Sequence, residues 1–196
     1  MTTKNQVVSE FRRKKILDAA RSVFARKGFT SGIVDQIAKE AGVAKGTVYL
    51  YFRSKAEIYR AVLDHDLEAL KREMLGRIAA AEGLKDKIRL FILTRLENSE
   101  ARREFFQIMD TASGKLSLTR RQYRDWLSEP VLKLASVLDE AARRGEIRAL
   151  PSEKTAWLIA DMTRGTIQRR LLGNRADSPS QEADFLLDIV WTALKP

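Results

Sequence analysis

Apolar residues recur at intervals of three and four along nearly the whole chain, and no stretch alternates as a strand does. The pattern predicts an all-α protein of about nine helices. The first, about Ser9 to Lys27, carries Ile16, Leu17, Ala20, Val23 and Phe24 on one face, and Lys27 followed by Gly28 marks its end. The second, Ile33 to Ala41, turns Val34, Ile37, Ala38 and Ala41 inward, and Gly42 supplies the left-handed residue that ends it. The third covers about Lys45 to Phe52, with Val48 and Phe52 as its inner residues. Ser54 and Glu57 read as a capping box for a long fourth helix, about Lys55 to Ala80. Further helices are predicted near 84–97, 100–112, 118–144, 151–172 and from Ser178 to about Leu194, with Pro130 expected to kink or split the seventh. A small head, residues 1–54, and a larger helical body, residues 55–196, follow from this order.

Charge divides the chain in the same place. The formal net charge is +10. Residues 1–55 hold twelve Lys and Arg against four Asp and Glu, a net of +8, which leaves +2 for the rest. A basic head on a near-neutral body is the electrostatic footprint of a nucleic-acid binder. Arg12, Arg13, Lys14 and Lys15 would also suit an anionic membrane surface or RNA, but the apolar face of their helix is needed to hold the head together. The chain has no cysteine, which removes disulfides, thiol catalysis and Cys-based zinc sites. No leader-like apolar segment opens the chain and no apolar run is long enough for a bilayer, so a cytoplasmic protein without a membrane partner is expected. Neither an enzyme nor a cofactor is indicated. There is no glycine-rich phosphate loop, and the single histidine, His65, sits between Asp64 and Asp66 on what reads as a solvated helix face rather than a metal site.

The chemistry concentrates in Gly42 to Lys55. Two helices joined by a tight turn containing Gly42 fit a helix-turn-helix, in which the second helix enters the major groove of double-stranded DNA. Lys45 stands at the start of that helix, where it can donate to guanine O6 and N7, with Thr47 beside it. Gly46 lets backbone come close to the duplex. The Tyr49 and Tyr51 hydroxyls can donate hydrogen bonds to phosphates, as can the Lys55 ammonium at the start of the fourth helix.

These residues carry a family resemblance. Ile16-Leu17-Asp18-Ala19-Ala20 through Phe24, Lys27-Gly28-Phe29, Ile37-Ala38-Lys39-Glu40-Ala41-Gly42-Val43 and Lys45-Gly46-Thr47-Val48-Tyr49-Leu50-Tyr51-Phe52-Arg53-Ser54-Lys55 resemble the N-terminal domain of TetR-family transcriptional regulators. The resemblance implies a three-helix DNA-binding head, a ligand-binding body, a homodimer formed largely by the last two helices, and a palindromic operator. It assigns base and backbone reading to Lys45, Gly46, Thr47, Tyr49, Tyr51 and Lys55. Two positions depart from the family pattern. Leu50 replaces a polar or aromatic residue, and Gly32-Ile33 replaces the Thr or Ser common at the start of the second helix, so that the contact there falls to Thr30 or Ser31 or is absent. The expected function is a transcriptional regulator, a repressor released from its operator by a small molecule. A ligand-independent architectural DNA binder is the alternative.

For the body, the resemblance implies a pocket among the middle helices. The candidate ligand-binding residues are Phe91, Phe105, Phe106, Met109, Tyr123, Trp126, Trp157 and Met162, any of which could equally be core. Arg95, Arg102 and Arg103 suit either an anionic ligand or the surface. Phe185, Leu186, Ile189, Val190 and Ala193 on the last helix, and Ala156, Leu158, Ile159, Met162, Ile167 and Leu171 on the one before, would supply a two-fold four-helix interface.

Overall fold

The structure, a computed structural model, describes residues 4–27, 32–101, 120–173 and 177–196. Among them are eight helices and no strand: α1 Lys4–Lys27, α2 Ile33–Ala41, α3 Lys45–Tyr51, α4 Lys55–Ala80, α5 Leu84–Ala101, α6 Arg120–Arg143, α7 Ser152–Leu171 and α8 Pro179–Leu194. The helix expected over 100–112 falls almost wholly outside the described residues. None of the described helices is long and apolar enough to cross a membrane.

Three boundaries differ from the sequence reading. α1, Lys4–Lys27, is already helical ahead of the expected start at about Ser9. No glycine or proline interrupts residues 4–15, so a helix nucleated by the buried face propagates outward. Residues 6–15 are all exposed, and burial starts at Ile16. Pro130 does not split α6, which runs through it as one helix. The capping box at α4 is offset. Ser54 Oγ accepts from the Glu57 amide at 3.1 Å, while the Glu57 carboxylate reaches back to the Arg53 amide at 2.7 Å. The box at α8 is complete, with Ser178 and Gln181 each accepting from the other's backbone N–H.

Contacts divide the described residues into two compact units, with the division inside α4: residues up to Asp66 in one, residues from Leu67 in the other. In the first, α1 packs on α2 and α2 on α3. Ile16, Ala20, Phe24, Ile37, Val48 and Phe52 are buried together with Ile58, Tyr59 and Val62 of α4. Phe24 and Tyr59 meet edge to face at 5.3 Å, a favourable aromatic geometry. Arg21 binds the buried Asp66 carboxylate through Nε at 2.9 Å and Nη2 at 2.6 Å, which ties α1 to α4.

In the second unit one apolar core joins Met74 and Ile78 of α4, Ile88 and Phe91 of α5, Leu127 and Val131 of α6, Ile159 of α7 and Leu186 of α8. α5 lies along α8, with Arg89 bound to Asp184 at 2.6 Å and to Ser180 at 2.8 Å. Arg170 of α7 is 5% exposed and holds three groups: the Asp177 carbonyl at 2.6 Å, Glu100 at 3.0 Å and the nearly buried Glu182 at 4.0 Å.

Candidate nucleic-acid interface

The turn between α2 and α3 is set by backbone chemistry. Gly42 adopts φ 67°, the left-handed region that a side chain disfavours. Its N–H bonds the Lys39 carbonyl at 3.2 Å, and the Val43 N–H bonds the Ala38 carbonyl at 3.0 Å. This paired arrangement satisfies the last carbonyls of α2 and reverses the chain in three residues. α3 then starts from Ala44, which has no side-chain cap, and is anchored inward by Val48 and by Phe52 just past its end.

That anchoring leaves the predicted reading residues facing out. Lys45, Gly46 and Tyr49 are exposed, and Thr47 and Tyr51 are half-buried, as is Lys55 at the start of α4. Six of the eight predicted DNA contacts are therefore brought together on and beside one short helix. Thr30 and Ser31 lie outside the described residues. Gly32 takes φ 74° at the start of α2 and offers no side-chain cap. A threonine there would be strained, which accounts for the departure at this position.

Lys45 has a partner that the sequence reading missed. Its Nζ lies 2.9 and 3.0 Å from the two Asp35 carboxylate oxygens, which bridges α3 back to the first turn of α2. The hydrogen bond to Asp35, and then its charge, hold the ammonium above the usual lysine range. An anion approaching Lys45 would therefore compete with Asp35 for the same cation. Asp35→Asn should bind random-sequence duplex several-fold more tightly at low salt, read by fluorescence anisotropy. Weaker binding would mean that Asp35 aims Lys45 rather than restrains it.

Residues 16–62 match the family described as "Bacterial regulatory proteins, tetR family". Over these residues, about a quarter of the chain, it is a tetR-family domain. The chain is 42% identical over 71 residues to the HTH-type transcriptional regulator SrpR of Pseudomonas putida, a match covering 35% of this chain and 33% of SrpR. It is 29% identical over 135 residues to the fatty acid metabolism regulator protein of Bacillus subtilis (strain 168), covering 68% of this chain and 70% of that one. Among solved structures, FadR from Bacillus subtilis in complex with stearoyl-CoA superposes with TM-score 0.71 at 23% identity, covering 90% of this chain and 96% of that one. The relatives are transcriptional regulators, and the all-helical fold is the family's.

In the body, the candidate ligand residues that the structure describes stand in different settings. Phe91 is fully buried in the core. Trp126 is half-buried, and its indole N–H donates to the Leu67 carbonyl at 2.8 Å. Trp157 and Met162 are half-buried, with the Arg124 guanidinium 5.7 Å from the Trp157 ring centre. Phe105, Phe106 and Met109 lie outside the described residues, as does the side chain of Tyr123. One narrow cleft has a lining that includes Leu138, Ala142, Ile147, Leu150 and Leu194 and none of the eight candidates. Arg95 is not a surface residue. It is 3% exposed, donates to the Ala160 carbonyl at 2.9 Å and lies 5.5 Å from the Phe91 ring centre. Arg102 and Arg103 lie outside the described residues. His65 Nδ1 lies 2.9 Å from Arg21 Nη2, beside the Arg21–Asp66 pair.

Proposed function

We propose that the protein is a cytoplasmic, dimeric repressor that grips a palindromic operator and lets go when a small molecule binds its body. Residues 1–54 serve as the DNA-binding part, and 55–196 as the part that binds ligand and dimerises. The observation that carries the DNA-reading half is the outward set on α3: Lys45, Gly46 and Tyr49 exposed while Val48 and Phe52 fill the head. In this reading Lys45 and Thr47 meet base edges, and Tyr49, Tyr51 and Lys55 meet phosphates. Thr30 and Ser31 are candidates for a further backbone contact.

The dimer is supported by apolar surface on the last two helices. Leu158 of α7 is 63% exposed, and Phe185 and Ile189 of α8 are 60% and 44% exposed. Phe185 and Ile189 are four residues apart and share a helix face.

The ligand is apolar or amphipathic in this reading. Phe91, Trp126, Trp157 and Met162 supply apolar material, with Phe105, Phe106, Met109 and Tyr123 as further candidates. Arg95 is a positive charge inside an apolar body, which suits a molecule with an acidic end. A relative named as a fatty acid metabolism regulator and a FadR structure holding stearoyl-CoA are compatible with that chemistry. α4 contributes residues to both units as one helix, so a ligand that favours a different set of α4 in the body re-aims its first turns. A hundredfold preference of the ligand for the released state corresponds to about 2.7 kcal/mol of coupling.

The test is selection of duplexes from a random library, with inspection of the winners for two inverted half-sites. On the recovered operator, Lys45→Ala and Tyr49→Ala should each weaken binding about tenfold or more. Lys45→Ala should also flatten the salt dependence by roughly one unit of log–log slope per half-site, because it removes a cation that displaces counterions from the duplex. The dimer should persist in both. Parent-like affinity in both variants would move the reading surface away from α3.

A further inference from the structure

The polar reading residues of α3 flank its outermost line, and that line is apolar. Successive residues of a helix are about 100° apart, so with Val48 pointing inward the opposite line falls on Gly46 and Leu50, each about 160° away. Tyr49 and Thr47 lie to the two sides. Leu50 is 83% exposed, so no packing within the chain accounts for a large apolar residue there. At Gly46 a Cβ would meet nothing within 4 Å, so packing in the free head does not require glycine either. The pair forms a ridge with a bare step beside a leucine, on the most basic part of the chain.

The surrounding charge selects the occupant. A ridge in a segment of net charge +8, with Lys45, Arg53 and Lys55 close by in the sequence, is suited to a polyanion rather than an apolar protein face. Inside the major groove the apolar group on a base edge is the C5-methyl of thymine. We propose that Leu50 is a specificity-determining residue that reads thymine by packing on its C5-methyl group, with Gly46 leaving room for α3 to sit close to the base edges. This rests on the DNA-binding reading given above and adds to it a base preference at one position of each half-site, carried by an apolar contact rather than a hydrogen bond.

The proposal separates cleanly from general DNA binding, because replacing thymine by deoxyuridine removes the methyl group alone. On the selected operator, each thymine is replaced in turn by deoxyuridine in both half-sites, and affinity is measured for the parent and for Leu50→Ala. At one position the parent should bind about fourfold less tightly per half-site, the effect of losing one buried methyl, and roughly sixteenfold less with both replaced. Leu50→Ala should bind the thymine operator less well and no longer distinguish the two bases. Its melting temperature and salt dependence should match the parent's, because the side chain is outside the core and carries no charge. A parent indifferent to deoxyuridine at every position overturns the proposal, as does a Leu50→Ala protein that still discriminates. In those cases DNA binding itself stands and Leu50 faces another partner. Recovery of no duplex at all in the selection overturns the DNA-binding reading, and this proposal with it.

Discussion

Phe185→Glu combined with Ile189→Glu is expected to convert the proposed dimer into a monomer. Size-exclusion chromatography with light scattering would show half the parent's mass, and operator affinity would fall by about a hundredfold or more as the second head ceases to act from the same molecule. The argument is local. α8 turns Ala183, Leu186, Leu187, Val190 and Leu194 into the core, while Phe185 and Ile189 remain exposed on another face. Burying such side chains yields about 1.5–3 kcal/mol each, and a carboxylate placed there would instead have to be desolvated without a partner. Removal of the whole helix would be a poorer experiment, because it takes five core residues with it. Substitution outside the core leaves the fold intact, which circular dichroism would check. A double variant that stays dimeric would place the interface elsewhere.

Arg170→Ala is expected to lower stability by about 3 kcal/mol, the scale seen when one partner of a buried ion pair is removed. The guanidinium links α7 to Glu100 at the end of α5 and to the Asp177 carbonyl just before α8. Its removal leaves Glu182, which is nearly buried, with Arg169 at 3.0 Å as its remaining ion-pair partner of the two. For a chain of this length the melting temperature should drop by roughly 6–12 °C. Arg170→Met, which keeps much of the stem volume, should recover part of that drop, since replacing a buried charge by apolar packing is often tolerated. An unchanged melting temperature in the alanine variant would mean that water replaces the network without penalty.

Much of this architecture was legible from spacing. The inward face of α2, Ile33 to Ala41, and the stop at Gly42 follow from periodicity and from glycine's tolerance of positive φ, and both are local properties. So is the Ser178–Gln181 cap. The outward set on α3 was legible for the same reason: once Val48 and Phe52 are inward, the rest follow by geometry. What the sequence hid were pairings across elements. Asp35 and Lys45 are ten residues apart and meet only because the turn folds α3 against α2. The burial of Arg95 and Arg170 is not visible to a pattern-based reading, because periodicity locates apolar faces and does not say which charges they enclose. Their burial is decided by a carbonyl or carboxylate from another helix. Helix α1 extends ahead of Ser9 because no glycine or proline between residues 4 and 15 breaks it, and that outer stretch carries no buried face for periodicity to reveal.

α3 is seven residues long, has no side-chain cap at its start, and is secured by two inward groups. Lys45 aside, which pairs with Asp35, its outward positions are therefore nearly free of obligations to the rest of the chain. On the proposed reading, a duplicated gene that changes Gly46, Tyr49 or Leu50 would acquire a new genomic address while its descendants keep folding, so divergence of targets would outpace divergence of the scaffold.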